Sequence, residues 1–315
     1  MRLAPSGHVA AFTGRWLALS DQSRAVCLVL LGGLGFSIMA AMAKSLGEHL
    51  DSFQIAFFRA LVGFLVLLPM VMKAGAHSLR TSVPHLHAVR VLAGTCAMMC
   101  GFYALTHLPL ATATALTFTK PLFMIFVAII LLGETVRWRR WLATIVGFAG
   151  VVIMVRPDQA TIDPAMIVAL AQALFVAVAV ASVKLIPSQE SERTILFFFA
   201  VFSTVITAIP AALFWQWPTL EQLVLLLLMG AIGLASQAVT VRGFRKGEAT
   251  VLSPLEYTKL IFATIVGFAF FAERPSIDLF IGAVVVLAST FYIVRREAAL
   301  GKKREVPLSA QSQRL

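Results

Sequence analysis

Two lysines, Lys120 and Lys259, each stand about eleven residues inside a long apolar run. An ammonium in hydrocarbon costs at least ~2.5–3.5 kcal/mol, so each must face a cavity, a partner or both. As a pair they could hold an anionic or zwitterionic substrate. The structural alternative ties each lysine to a carboxylate, or to carbonyls freed by Pro121 and Pro254. Glu256 precedes Lys259 by three residues and shares its helix face. Thr117 stands in the same relation to Lys120, so one run offers a hydroxyl where the other offers a carboxyl. Glu256 can act as counter-ion to Lys259 or Lys120, as a titrating group for a coupled proton, or as ligand to an amino group. Arg59, about eight residues into another apolar run, carries a planar fork suited to carboxylate or phosphate. It can equally pair with Glu256 or snorkel to the nearer surface. Tyr103, Phe118 and Tyr257 could supply aromatic walls.

Glu134 and Glu273 look catalytic by type, but both end an apolar run. A carboxylate there opposes the helix dipole and needs a specific partner. Arg139, Arg140 and Arg274 are near enough in sequence for a structural or gating ion pair. No metal set is legible. The six histidines fall in loops or at the ends of apolar runs, and Cys27, Cys96 and Cys100 read as small apolar residues. No nucleotide-binding glycine loop and no cofactor motif occurs.

These residues belong to a repeat. Leu110–Arg156 lies over Ala249–Arg295 without a gap, matching Thr119-Lys120 to Thr258-Lys259, Phe123 to Phe262, Glu134 to Glu273 and Arg156 to Arg295. Earlier in each copy the match is weaker. Lys44 meets Lys184, and Phe57-Phe58 and Pro69 meet Phe198-Phe199 and Pro210. Arg59 meets Ala200, so the symmetry breaks there.

The elements that carry the repeat must cross a bilayer. Of the 315 residues, 59% are hydrophobic and 13% charged, against about 25% charged in soluble domains. Mean hydropathy is +0.89. Ten segments of spanning length are expected, at 25–46, 52–73, 87–106, 110–132, 139–156, 164–184, 193–214, 222–243, 249–271 and 277–294. Residues 1–24 form an N-terminal segment whose following apolar run exceeds a signal-peptide core. The repeats run 25–156 and 164–294, and 295–315 is a basic tail. Each half holds five spans, so the second enters the membrane the other way up. The expected fold is all-α, ten transmembrane helices in two inverted five-helix repeats.

The net charge of +11 does not point to nucleic acid. With a cytoplasmic N-terminus, twenty loop and tail cations lie inside and two, Arg156 and Arg274, outside. This is the positive-inside pattern, with both termini cytoplasmic in a cell (inner) membrane. The basic tail then meets lipid headgroups.

Ten spans, the five-plus-five repeat, the endings Leu131-Leu132-Gly133-Glu134 and Phe271-Ala272-Glu273, and the segment Leu108–Phe123 resemble the drug/metabolite transporter superfamily, specifically its EamA-type carriers. That resemblance implies a transporter, and carries little information on substrate. The family is similar in architecture to nucleotide-sugar and triose-phosphate carriers, and includes amino-acid exporters and importers of vitamins and S-adenosylmethionine. Phe57–Ala60 looks closer to the bacterial importers. The expected function is secondary transport of a small polar metabolite, anionic or zwitterionic, by alternating access around a midplane site. A coupled proton and a homodimer both remain open. An intramembrane enzyme would need a buried histidine or aspartate beside the lysines, and a channel would need a ring of like charges. Neither is found.

Overall fold

The computed structural model describes residues 20–74, 81–133, 138–155, 163–187, 190, 192–247 and 252–304. Glu134 lies outside them. All regular structure among the described residues is helical: α1 (Asp21–Leu46), α2 (Ser52–Ala74), α3 (Pro84–His107), α4 (Leu110–Thr117), α5 (Lys120–Leu132), α6 (Trp138–Val155), α7 (Pro164–Leu185), α8 (Glu192–Leu213), α9 (Leu220–Lys246), a 3-10 turn (Ser253–Tyr257), α10 (Thr258–Phe271) and α11 (Ile277–Arg304). The pair α4–α5 makes one rod, and the 3-10 turn with α10 makes another, giving ten rods.

Local chemistry sets the ends. Ser20 caps α1, its hydroxyl accepting from Ser23 N–H at 3.1 Å. The Asp163 carboxylate accepts from Ala165 N–H at 2.8 Å and starts α7. Thr219 and Gln222 close a reciprocal capping box on α9, satisfying two N–H groups that a helix start leaves open. The α5 and α10 rods end alike, on residues in the left-handed region: Gly133 at φ 63° and Ala272 at φ 53°. Ala272 has a Cβ and carries the strain that glycine avoids.

Helix pairing follows the expected inversion. α1 packs on α9 as α7 packs on α3, α2 on α9 as α8 on α3, and α10 on α1 as α5 on α7. α2 with α8, and α6 with α11, each pair with their own repeat mate. A two-fold axis in the membrane plane requires this exchange of partners. At the α6–α11 crossing the backbones touch: a Cβ on Gly150 would stand 2.9 Å from the carbonyl oxygen of Gly282, so only glycine permits the approach. The central core gathers Leu116, Phe118, Leu122, Ile125, Leu260 and Val286.

The outer surface is apolar. Val66, Ile130, Ile145, Ile209, Phe268 and Val284 are each more than half exposed, a belt that only lipid would cover. Among the described residues seven rods are long and apolar enough to span a membrane, and Trp141–Val155 and Ile277–Ile293 are shorter apolar helices. The expected tail is partly helical, because α11 runs on to Arg304. Residues 295–304 are mostly Arg, Glu, Ala, Leu and Lys, which favour helix, and the single Gly301 does not stop it.

Candidate functional site

The two rods that carry the lysines both change helix just before the lysine, the first at Phe118-Thr119 and the second from a 3-10 turn to an α-helix at Tyr257-Thr258. α4 ends at Thr117 and α5 starts at Lys120. The 3-10 turn ends at Tyr257, and α10 starts at Thr258. Pro121 supplies the local reason in the first rod: it has no N–H for the carbonyl of Thr117. The threonines that precede the lysines satisfy backbone instead. Thr119 Oγ1 donates to the Leu116 carbonyl at 2.7 Å and Thr258 Oγ1 to that of Leu255 at 2.6 Å. Each lysine therefore sits in the first turn of a half-helix, and the N–H groups of Phe118, Thr119 and Thr258 just before them bond back to carbonyls of the preceding turn. By helix rise Lys120 lies ~15 Å into its rod, near the midplane of a ~30 Å core, and Lys259 holds the matching repeat position.

The breaks meet each other. Phe118 and Tyr257 occupy matching repeat positions and touch edge to face, centroids 5.0 Å apart. The pseudo-two-fold axis passes between them. Tyr103, on α3, packs against the same apolar cluster and stacks on His107 with centroids 4.0 Å apart.

The two lysines differ in their partners. Lys259 Nζ donates to Glu256 Oε1 at 2.8 Å, and lies 5.2 Å from the centre of the Phe36 ring. Gly33 leaves room for its stem, a Cβ there being 3.4 Å from Lys259 Cγ. Of the two lysines open to Glu256 by sequence, the structure gives it Lys259. Lys120 is half-buried and makes no hydrogen bond or ion pair among the described residues. Thr117 Oγ1 donates to the Thr114 carbonyl at 2.7 Å, which leaves its lone pairs free to accept. Arg59 is not joined to the lysines. Its guanidinium lies against Gly233 of α9, where a Cβ would meet Arg59 Nε at 2.9 Å and Met39 Sδ at 2.6 Å. It too has no hydrogen bond or ion pair among the described residues.

Glu273 pairs across the repeats, with Lys44, at 2.6 Å, and not with the neighbouring Arg274. The left-handed residue Ala272 turns the chain back, so that Glu273 N–H donates to the Gly267 carbonyl at 3.1 Å. The carboxylate then lies over Gly267, where any Cβ would strike it, and points at α1. Its other oxygen accepts from Leu110 N–H at 2.8 Å, and Lys44 Nζ also donates to the Leu108 carbonyl at 2.7 Å. One ion pair thus ties α1, the α3–α4 corner and the end of α10. At the same end, the buried Gln54 exchanges two hydrogen bonds with the backbone of Gln216, at 2.8 and 3.1 Å. The sequence signal for Lys44 was its match to Lys184. Lys184 is exposed and makes no ion pair among the described residues. The matching Glu134 lies outside the described residues.

The opposite end has its own tie, which no motif announced. Glu190, in the α7–α8 loop, accepts from Thr81 Oγ1 at 2.9 Å and from Ser82 N–H at 3.0 Å. Its other oxygen is 3.6 Å from Nε2 of the buried His87. Desolvation pushes the Glu190 carboxyl up. The hydrogen bonds from Ser82 and Thr81, with His87 nearby, outweigh it and hold the group below the ordinary carboxylate range. A carboxyl lowered in this way stabilises the fold above its unfolded value, and that contribution is lost as pH falls through the folded one.

Among the described residues no His, Cys, Asp and Glu cluster could hold a metal ion. Among the described residues the site is two helix breaks, one lysine without a partner, one lysine–glutamate ion pair and an aromatic wall, which can bind but shows no nucleophile–base pair.

Comparison with known proteins agrees with this architecture. The EamA-like transporter family model matches twice, over residues 23–156 and 163–295. The chain is 34% identical over 287 residues to the S-adenosylmethionine uptake transporter of Rickettsia bellii (strain RML369-C), covering 91% of this chain and 99% of that protein. It is 30% identical over 276 residues to the pseudopaline exporter CntI of Pseudomonas aeruginosa (strain UCBPP-PA14), covering 86% and 95%. It is 29% identical over 289 residues to the riboflavin transporter of Rhizobium johnstonii (strain DSM 114642 / LMG 32736 / 3841), covering 90% and 96%. A crystal structure 22% identical to this chain covers 90% of it and 99% of its own length at TM-score 0.56, a likeness of fold alone. The chain is a multi-pass membrane transporter, not an enzyme, and belongs to the EamA-like transporter family.

Proposed function

We propose that this protein is a secondary carrier of a small zwitterionic metabolite bearing a carboxylate, with S-adenosylmethionine the first candidate, and that its substrate binds between the two helix breaks. The observation that carries this reading is the contact of Phe118 with Tyr257 beside two lysines at matched half-helix starts. Lys120, which has no partner among the described residues, suits a carboxylate. Glu256 suits an ammonium, and Phe118, Tyr257 and Tyr103 suit a sulfonium or a purine ring. The likeness to S-adenosylmethionine uptake transporters supports the candidate. Alternating access would rock the halves about the axis, with Lys44–Glu273 as the latch that closes one end. The chain would lie in the cell membrane with both termini in the cytoplasm.

Two experiments test this. Reporter fusions after Asp158, Pro187 and Leu315 should be active outside, inside and inside, respectively. A fusion at Leu315 active outside would end the topology.

The second concerns Glu256→Gln. The 2.8 Å contact with Lys259 supports an ionised carboxylate, so the variant leaves Lys259 uncompensated. It should fold in lower yield and shift selectivity among amino-acid-like substrates. Retained substrate exchange with loss of uptake driven by a pH gradient would instead make Glu256 the proton carrier. Wild-type behaviour in both assays would remove Glu256 from the site.

A further inference from the structure

Arg59 has no arginine at its repeat position, where Ala200 stands, yet its guanidinium has a structural counterpart. It rests on Gly233. The residue 139 positions earlier is Gly94, and a second guanidinium rests there, that of Arg90. The two arrive by different routes. Arg59 reaches Gly233 from the neighbouring helix α2, whereas Arg90 reaches Gly94 from one turn earlier in α3. Duplication alone would have put arginines at matching positions, but Met229 stands 139 residues after Arg90. Two unrelated arginines fill equivalent places in the packed pairs α2–α9 and α8–α3.

Their depths mirror each other as well. Arg59 is seven residues from the start of α2, at the end of the bundle that carries Lys44 and Glu273. Arg90 is six residues from the start of α3, at the end that carries Glu190. Helix rise puts each ~10 Å inside its own end, with the lysine pair between them.

Arg90 has little compensation. Its guanidinium carbon stands 4.8 Å from the centre of the Phe199 ring, and its Nε is buried without a hydrogen-bond partner among the described residues. Glu190, a carboxylate at the same end of the bundle, is engaged by Thr81, Ser82 and His87. A ring face offsets part of the cost of a desolvated cation, and an anion seated on the fork would supply the rest.

We propose that Arg90 is a second anion-binding group on the transport route, paired with Arg59 by the pseudo-two-fold. The acidic group of the substrate meets Arg59 at one end, passes the lysine pair, and meets Arg90 at the other. This rests on the carrier function proposed above, and predicts that the two arginines act on opposite faces of the membrane.

The test is uptake of radiolabelled S-adenosylmethionine by right-side-out and inside-out membrane vesicles from the same cells. Arg59→Gln should raise the half-saturation concentration about tenfold at the Lys44–Glu273 face and leave the other face unchanged. Arg90→Gln should do the reverse, a charged hydrogen bond being worth about a factor of ten or more. Arg90→Lys and Phe199→Leu, which keep a cation, should give smaller rises on the Arg90 face. An unchanged Arg90→Gln, or an equal change on both faces, overturns the proposal. Normal transport by Lys120→Ala and Lys259→Ala overturns the central site instead. If the wild type does not carry S-adenosylmethionine, that substrate falls and inorganic sulfate decides Arg90. Sulfate should raise the thermal midpoint of the purified wild type more than that of Arg90→Gln. Equal shifts overturn the proposal.

Discussion

Replacing Lys120 or Lys259 with alanine should cut the initial rate of transport by about ten- to a hundredfold while the protein still reaches the membrane. A hydrogen bond to a charged group contributes about 1.5–3 kcal/mol, and each tenfold in rate is about 1.4 kcal/mol. The two lysines should not behave alike. Lys120 has no partner among the described residues, so its loss leaves no orphaned charge and the thermal midpoint should hold or rise. Lys259 is bonded to Glu256, so its loss strands a carboxylate and the midpoint should fall. Lys120→Arg should also transport poorly, because a planar fork does not replace a compact ammonium in a confined place. Normal transport by both alanine variants would remove the lysines from the substrate site.

Breaking the latch should have the largest effect on stability and on access. Lys44 and Glu273 expose only 18% and 9% of their side chains. Removing one partner of such a pair costs about 3–5 kcal/mol, because the other charge stays behind in a dry place. Lys44→Met and Glu273→Gln should each lower the thermal midpoint by several degrees. The double variant Lys44→Met/Glu273→Leu should recover part of the loss, since no stranded charge remains. Opening can be read separately. A single cysteine at Leu105, one turn before the Leu108 carbonyl that Lys44 holds, in a chain with Cys27, Cys96 and Cys100 replaced, should react faster with a polar thiol reagent in the Glu273→Gln background. Unchanged labelling, with a double variant no better than the singles, would make the pair a local tie and not a latch.

Much of the fold was legible because lipid imposes it. Ten apolar runs, the charge asymmetry of the loops and the gapless match of residues 110–156 to 249–295 lead to the inverted architecture without further input. The placing of the lysines inside their rods was legible too, from the repeat alone. What periodicity did not reveal was the break in each lysine-bearing rod. Both runs read as continuous spans because Phe118-Thr119 and Tyr257-Thr258 are ordinary helix residues, and the threonine hydroxyls hide the loss by bonding backward. Pro121 was the signal. The partner of Glu273 was misjudged because nearness in sequence favoured Arg274, and only the left-handed turn at Ala272 aims the carboxylate at α1. Arg90 was counted among the loop and span-end cations. Its depth shows only once α3 is seen to begin at Pro84, and its relation to Arg59 only once Gly94 and Gly233 are seen as equivalent seats.

The central claim, a carrier that moves its substrate by alternating access between the two breaks, is tested most directly by counterflow with the purified wild type in liposomes. Liposomes preloaded with unlabelled S-adenosylmethionine should take up external labelled S-adenosylmethionine faster than empty ones, with a rate that saturates, because a loaded carrier returns faster than an empty one. Uptake that is the same in empty and preloaded liposomes and rises linearly with concentration would describe a pore, and would contradict the account.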